Sequence, residues 1–265
     1  MRMAFLDEGP RRGPVALCLH GNPTWSYVYR KMIPVFLRHG FRVVAPDLIG
    51  FGRSDHPVDE AVHTFAFHRG SLIGLIEHLD LRNIMLVCHD WGGILGLTLP
   101  MDLGDRFTRL LIMNTGLSTD SRTMSSGLNT WRDYLANTED LAVGRMMLRA
   151  EPVITEAEAE AYDTPFDGAN TKSGVRGLAK LQPFDAQAPG GQQLCRARAY
   201  LSKSWRGESF MAYGALDPVF GMRAMLDVQS VIRGCPEPVV IGYSGHFVQE
   251  HGRAVAAQAM AVFGV

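Results

Sequence analysis

The stretch Ile84-Met85-Leu86-Val87-Cys88-His89-Asp90-Trp91-Gly92-Gly93 limits the possible folds of this chain more than any other. It opens with an unbroken apolar run, the pattern of a strand covered on both faces, since a half-exposed strand would alternate polar with apolar residues. The run ends at an aspartate flanked by the small residues Cys88 and Gly92, and a helical pattern follows. Strand, tight turn and helix in that order form the frame of a nucleophile elbow, here with Asp90 where a serine is usual. The turn lifts that side chain above the C-terminal edge of a parallel sheet, where such sheets bind their ligands. An aspartate at this point can also be a plain helix N-cap. The flanking small residues favour the elbow.

The rest of the chain supplies the sheet. Strand-like runs at 1–7, 15–19, 41–45, 83–88 and 109–113 alternate with helical patterns at 27–38, 65–79 and 93–103. That alternation predicts a mostly parallel sheet with helices on both faces. From about Leu117 to Arg206 the pattern is helical only, and Thr155 with Glu158 predicts a capping box at the start of one helix. Strand patterns return at 209–213 and 238–241, with helices at 219–231 and 252–263. The expected organisation is an α/β core of residues 1–117 and 207–265, interrupted by a helical cap at 118–206.

With 265 residues, 46% of them hydrophobic, the chain can bury a large core. Lys+Arg 26 against Asp+Glu 27 leaves a net charge of −1 with no basic block, which argues against a nucleic-acid partner. No apolar run reaches the roughly 18 to 20 residues that a membrane helix needs. The charged N-terminal segment also lacks the apolar stretch of a signal peptide, so the chain is expected in the cytoplasm. Cys18, Cys88, Cys195 and Cys235 have no C-x-x-C spacing, so neither a disulfide framework nor a metal site is expected.

Two further segments have the placement a triad requires. Gly242-Tyr243-Ser244-Gly245-His246-Phe247 follows the last strand-like run and sets His246 at the same sheet edge as a candidate general base. Asp217, in Gly214-Ala215-Leu216-Asp217-Pro218, directly follows a strand and can orient His246, giving the order nucleophile, acid, histidine. An aspartate before proline is also a helix N-cap signature. In the loop His20-Gly21-Asn22-Pro23-Thr24-Trp25 the backbone N–H of Asn22, with that of Trp91, has the position of an oxyanion hole.

Taken together, His20 to Tyr27, Asp47 to Asp55, His89 to Gly93, the Asp217-Pro218 segment and Gly245 to Gly252 resemble the haloalkane dehalogenases of the α/β-hydrolase fold. The likeness is greatest to the subgroup of the dichloroethane-degrading enzyme, whose acid follows the cap. The resemblance implies Asp90 as nucleophile, His246 as base and Asp217 as acid. It implies Trp91 and the cap residue Trp131 as halide-binding indoles, with Asn22 as a further halide ligand in the manner of sister subgroups. The acid position of another subgroup holds Asn114 here. The implied partners are a short haloalkane, water and the halide product, with no cofactor, in a monomer or weak homodimer. The family's first strand has no counterpart, so the sheet is expected to have seven strands and an exposed or dimer-paired edge at the segment 1–6, or else the natural start lies upstream.

This chemistry suits the residues. A carboxylate displaces halide from an sp³ carbon to form an alkyl ester. Indole N–H groups, which donate without accepting, stabilise the departing anion. Two other readings stand beside it: an epoxide hydrolase using cap tyrosines among Tyr134, Tyr162 and Tyr200 as acids, and a non-catalytic ligand receptor on the same fold. Leu128 and Phe166 are candidates for lining the substrate path.

Overall fold

The computed structural model describes residues 1–120, 125–181 and 183–265. Seven strands form one sheet in the order β1-β3-β2-β4-β5-β6-β7. They are β1 (Phe5–Glu8), β2 (Val15–Leu19), β3 (Arg42–Pro46), β4 (Ile84–His89), β5 (Phe107–Met113), β6 (Glu208–Gly214) and β7 (Val239–Ile241). β1 pairs antiparallel with β3, and every other pairing is parallel. β2 and β4 are buried along their whole length, which is why their sequences lack alternation. β1 and β7 are the two edges.

Helices α1 (Ile33–Arg38), α2 (Phe65–His78), α3 (Trp91–Gly96), α9 (Met222–Val231) and α10 (Gly252–Val262) accompany the sheet. Between β5 and β6 the described residues form helices and no strand: α4 (Ser126–Asn137), α5 (Val143–Ala150), α6 (Glu156–Asp163), α7 (Ser173–Lys180) and α8 (Gly191–Lys203). The expected capping box is present at α6, where Thr155 and Glu158 bond each other's backbone N–H. None of the described helices is long and apolar enough to cross a membrane.

Several helices are shorter than the sequence pattern predicts, and proline explains two of them. The pattern at 27–38 breaks into a 3-10 turn and then α1, which has Pro34 in its first turn, the only place in a helix where a missing N–H is harmless. The pattern at 93–103 starts earlier and stops at Gly96, four residues before Pro100. His251 ends a 3-10 turn just before α10.

A half-buried ionic junction ties α6 to the core. Arg30 donates to Glu158 of α6 at 2.7 Å and to Glu250 at 2.6 Å, and Lys31 reaches Glu250 at 2.8 Å. The Tyr162 hydroxyl donates to the same Glu250 carboxylate at 2.5 Å.

Candidate active site

The turn between β4 and α3 places Asp90 at φ +49° and ψ −125°, a region that residues bearing a Cβ occupy only when surrounding structure holds them there. That hold is visible: the Asp90 N–H donates to the Asn114 carbonyl at 3.0 Å, and the Thr115 hydroxyl donates to the Asp90 carbonyl at 2.7 Å. Gly92 passes so close to the Leu19 carbonyl oxygen that a Cβ there would collide with it. The Asp90 side chain makes no N-cap hydrogen bond to the second or third N–H of α3. The plain N-cap reading is thereby removed.

Asp90 is buried, and Oδ1 accepts the N–H of Asn22 at 2.7 Å. The N–H of Trp91 also points to this carboxylate. Oδ2 lies 3.6 Å from Nε2 of His246, beyond hydrogen-bond length. That Nε2 is buried with no hydrogen-bond partner among the described residues. On the far side of the ring, His246 Nδ1–H donates to Asp217 Oδ2 at 2.8 Å.

Asp217 serves two ends at once. Its oxygens accept the N–H groups of Val219 at 2.7 Å and Phe220 at 3.0 Å, the contacts of the N-cap signature read from Asp-Pro although Gly221 precedes α9, while Oδ2 also holds His246. This local turn delays α9 to Met222. Asn114 Nδ2 donates to Asp217 at 2.7 Å, and its oxygen accepts the Gly214 N–H at 3.0 Å. The sequence flagged Asn114 only as an alternative acid position.

Burial by itself would raise the carboxyl pKa values and lower that of His246. Attraction within the triad outweighs it, so the carboxyls of Asp90 and Asp217 are held below their usual range and His246 is raised to about 10. His89 was not expected to matter. Its Nε2–H donates to the His246 carbonyl at 2.9 Å, and burial lowers its pKa to about 3, which leaves it a neutral support beneath His246.

Above Asp90 lies a small cavity of about 20 Å³ bounded by Asn22, Trp91, Leu128, Trp131, Ala179, Phe184 and Phe220 among others. Leu128 and Trp131 come from α4. Neither indole N–H, of Trp91 or of Trp131, is engaged by an acceptor among the described residues. Asn22 Nδ2 donates to the Val175 carbonyl of α7 at 2.9 Å, so one of its amide hydrogens is already committed. An outer groove shares Leu128, Phe184 and Phe220 with the cavity.

Two expectations are corrected here. Phe166 does not line the cavity; its ring packs edge-on against His56 instead. None of the cap tyrosines faces Asp90 either: Tyr134 is exposed, Tyr162 is bound into the Glu250 junction, and Tyr200 packs beside Gly104. The acid that epoxide opening demands is missing from the described cavity wall.

Residues 14–252 match the family described as alpha/beta hydrolase fold. The chain is 37% identical over 262 residues to a haloalkane dehalogenase of Psychrobacter cryohalolentis, covering 97% of this chain and 85% of that one. It is 33% identical to a haloalkane dehalogenase of Mycobacterium marinum, covering 94% and 84% of the two chains. Among solved structures, the tetrameric haloalkane dehalogenase DpaA from Paraglaciecola agarilytica superposes with a TM-score of 0.94 at 49% identity, over 98% of this chain and 87% of that one.

Proposed function

Because the chain belongs to the haloalkane dehalogenase family of α/β hydrolases, which cleave carbon–halide bonds by hydrolysis, we propose that it does so through an alkyl ester on Asp90. The observation that carries this reading is an elbow aspartate with Oδ1 pinned at 2.7 Å by the Asn22 N–H and Oδ2 left facing an unpartnered His246 Nε2 at 3.6 Å. The unpinned oxygen attacks the carbon in line: the C–O bond forms as the carbon–halogen bond breaks, and the electron pair leaves with the halide. The indoles of Trp91 and Trp131 donate to that growing charge in a water-poor cavity, where such donors act most strongly. Asn22 offers its remaining amide hydrogen as a further halide ligand.

Ester formation also prepares the second step. The free site holds two carboxylates against one imidazole, which favours the protonated ring. Alkylation removes the Asp90 charge, so the His246 pKa falls, the ring releases its proton to solvent and becomes a base. Water deprotonated by His246 then attacks the ester carbonyl carbon, and the N–H groups of Asn22 and Trp91 hold the oxyanion. The carbonyl–O(alkyl) bond breaks, the departing alkoxide takes the proton of the new carboxyl group and leaves as alcohol, His246 keeps the proton it took from water, and the Asp90 carboxylate keeps one oxygen from water.

The small cavity supports short haloalkanes as substrates, reached through the outer groove, with residues 118–206 acting as the cap. Free buried thiols at Cys18, Cys88 and Cys235 fit a reducing compartment, the cytoplasm. DpaA is a tetramer; sedimentation of this chain separates that state from the monomer or weak dimer expected from its sequence.

The reading is tested by halide release from a panel of short chloro-, bromo- and epoxyalkanes, followed by a single turnover in ¹⁸O water. Halide should be released, and the label should appear in the Asp90 peptide. Label in the alcohol alone would mean direct attack of water on the alkyl carbon and would end the proposal.

A further inference from the structure

The loop that carries His246 has a weak anchor in the sheet. It follows β7, an edge strand of three residues that pairs only with β6. Besides Asp217 and His89, a further polar hold comes from the other side, from Glu151 at the C-terminal end of α5. Glu151 Oε1 accepts the Ser244 hydroxyl at 3.1 Å and the Phe247 N–H at 3.2 Å, and the carboxylate also draws on the N–H of Gly245. The two residues that flank His246 thus share one acceptor. The turn is packed against it so closely that a Cβ on Gly245 would stand 2.9 Å from the Ala150 carbonyl oxygen and 3.1 Å from Glu151 Oε1. On its other side, Glu151 Oε2 lies 3.6 Å from Nε2 of His251.

Glu151 is only 1% exposed. Removing a carboxylate from water is costly unless hydrogen bonds replace the lost hydration, and a well-packed apolar side chain fills space without that cost. A carboxylate at this position makes sense where backbone N–H groups must be held in place. We propose that Glu151 is a positioning residue for the dehalogenation reaction: from α5 it fixes the backbone on both sides of His246, and so sets the imidazole for the hydrolytic step while leaving the halide-displacing step untouched. The inference rests on His246 being the base of the second step. Misplacing a catalytic group by about 1 Å costs on the order of 100-fold in rate, so a small slackening of this loop is measurable.

The experiment follows both steps in single turnover with a short bromoalkane: the halide burst for the first, and mass spectrometry of the alkyl-enzyme with alcohol release for the second. Glu151→Asp keeps the charge but is one methylene too short to reach the loop, and Glu151→Gln keeps an acceptor oxygen at full reach. We expect Glu151→Asp to leave the burst within about twofold of the parent, to slow hydrolysis roughly tenfold or more, and to accumulate alkyl-enzyme. Glu151→Gln should restore most of the hydrolytic rate. His246→Phe is the reference and should trap the alkyl-enzyme fully. If His246→Phe traps and Glu151→Asp hydrolyses at the parental rate, or if its burst and hydrolysis slow together, Glu151 has no specific hold on the base and the inference fails. If His246→Phe itself does not trap, the assignment of the base falls, and the role of Glu151 falls with it.

Discussion

His246 sits between two carboxylates that raise its pKa from 6.5 to about 10. The folded protein therefore holds a proton that the unfolded chain releases above about pH 6.5. This contribution to stability is fully present below that pH and is lost as pH rises through about 10. Melting temperatures measured from pH 6.5 to 10 should consequently fall further for the parent than for His246→Phe, and parallel curves would exclude the linkage. The buried histidines His68 and His89 act in the opposite sense. Burial lowers both to about 3, so the unfolded chain takes up protons that the fold refuses, and stability drains away as pH falls from 6.5 toward 3. The site is thus bracketed by one histidine that must be free to charge and one beneath it that stays neutral.

At the scale of elements, the elbow depends on what its glycines leave out. Gly92→Ala would drive a methyl into the Leu19 carbonyl of β2, so the turn or the strand must shift. We expect a loss of about 1–3 kcal/mol in urea unfolding, the usual range for overpacking. Halide release should fall by more than stability explains, because Asp90 moves with the turn; unchanged activity would show that the elbow tolerates the shift. The order of strands and helices, the turn at Asp90 and the gathering of Asp90, Asp217 and His246 at one sheet edge were legible in the sequence, since apolar runs, small residues and turn chemistry are all local signals. Helix ends were less so. Pro34 and Pro100 were in plain view, but the apolar pattern runs through both, and only the missing N–H decides where the helix can stand. The supports of His246 were not legible at all. His89 meets the His246 carbonyl across 157 residues, and Glu151 meets Ser244 across 93, separations over which no local pattern carries information.

Across the whole molecule, the helices between β5 and β6 are fastened to the core by charge as well as by apolar packing. Arg30 joins Glu158 to Glu250, Glu151 holds the His246 loop, and Asn22 reaches Val175 of α7. Several bonds that shape the site span much of the chain: 68 residues from Asn22 to Asp90, 103 from Asn114 to Asp217 and 157 from His89 to His246. Bringing such distant segments together costs loop entropy before any contact rewards it, and folds dominated by distant contacts assemble slowly. A chain that has made its helices but not yet closed its sheet therefore has no nucleophile elbow, no oriented imidazole and no halide pocket. After dilution from denaturant, recovery of halide release should trail recovery of helical signal, and activity regained in step with the helices would contradict this. Partly folded chains, which share the same reactive carboxylate and imidazole, are chemically silent toward haloalkanes, so enzymatic assay counts only finished molecules.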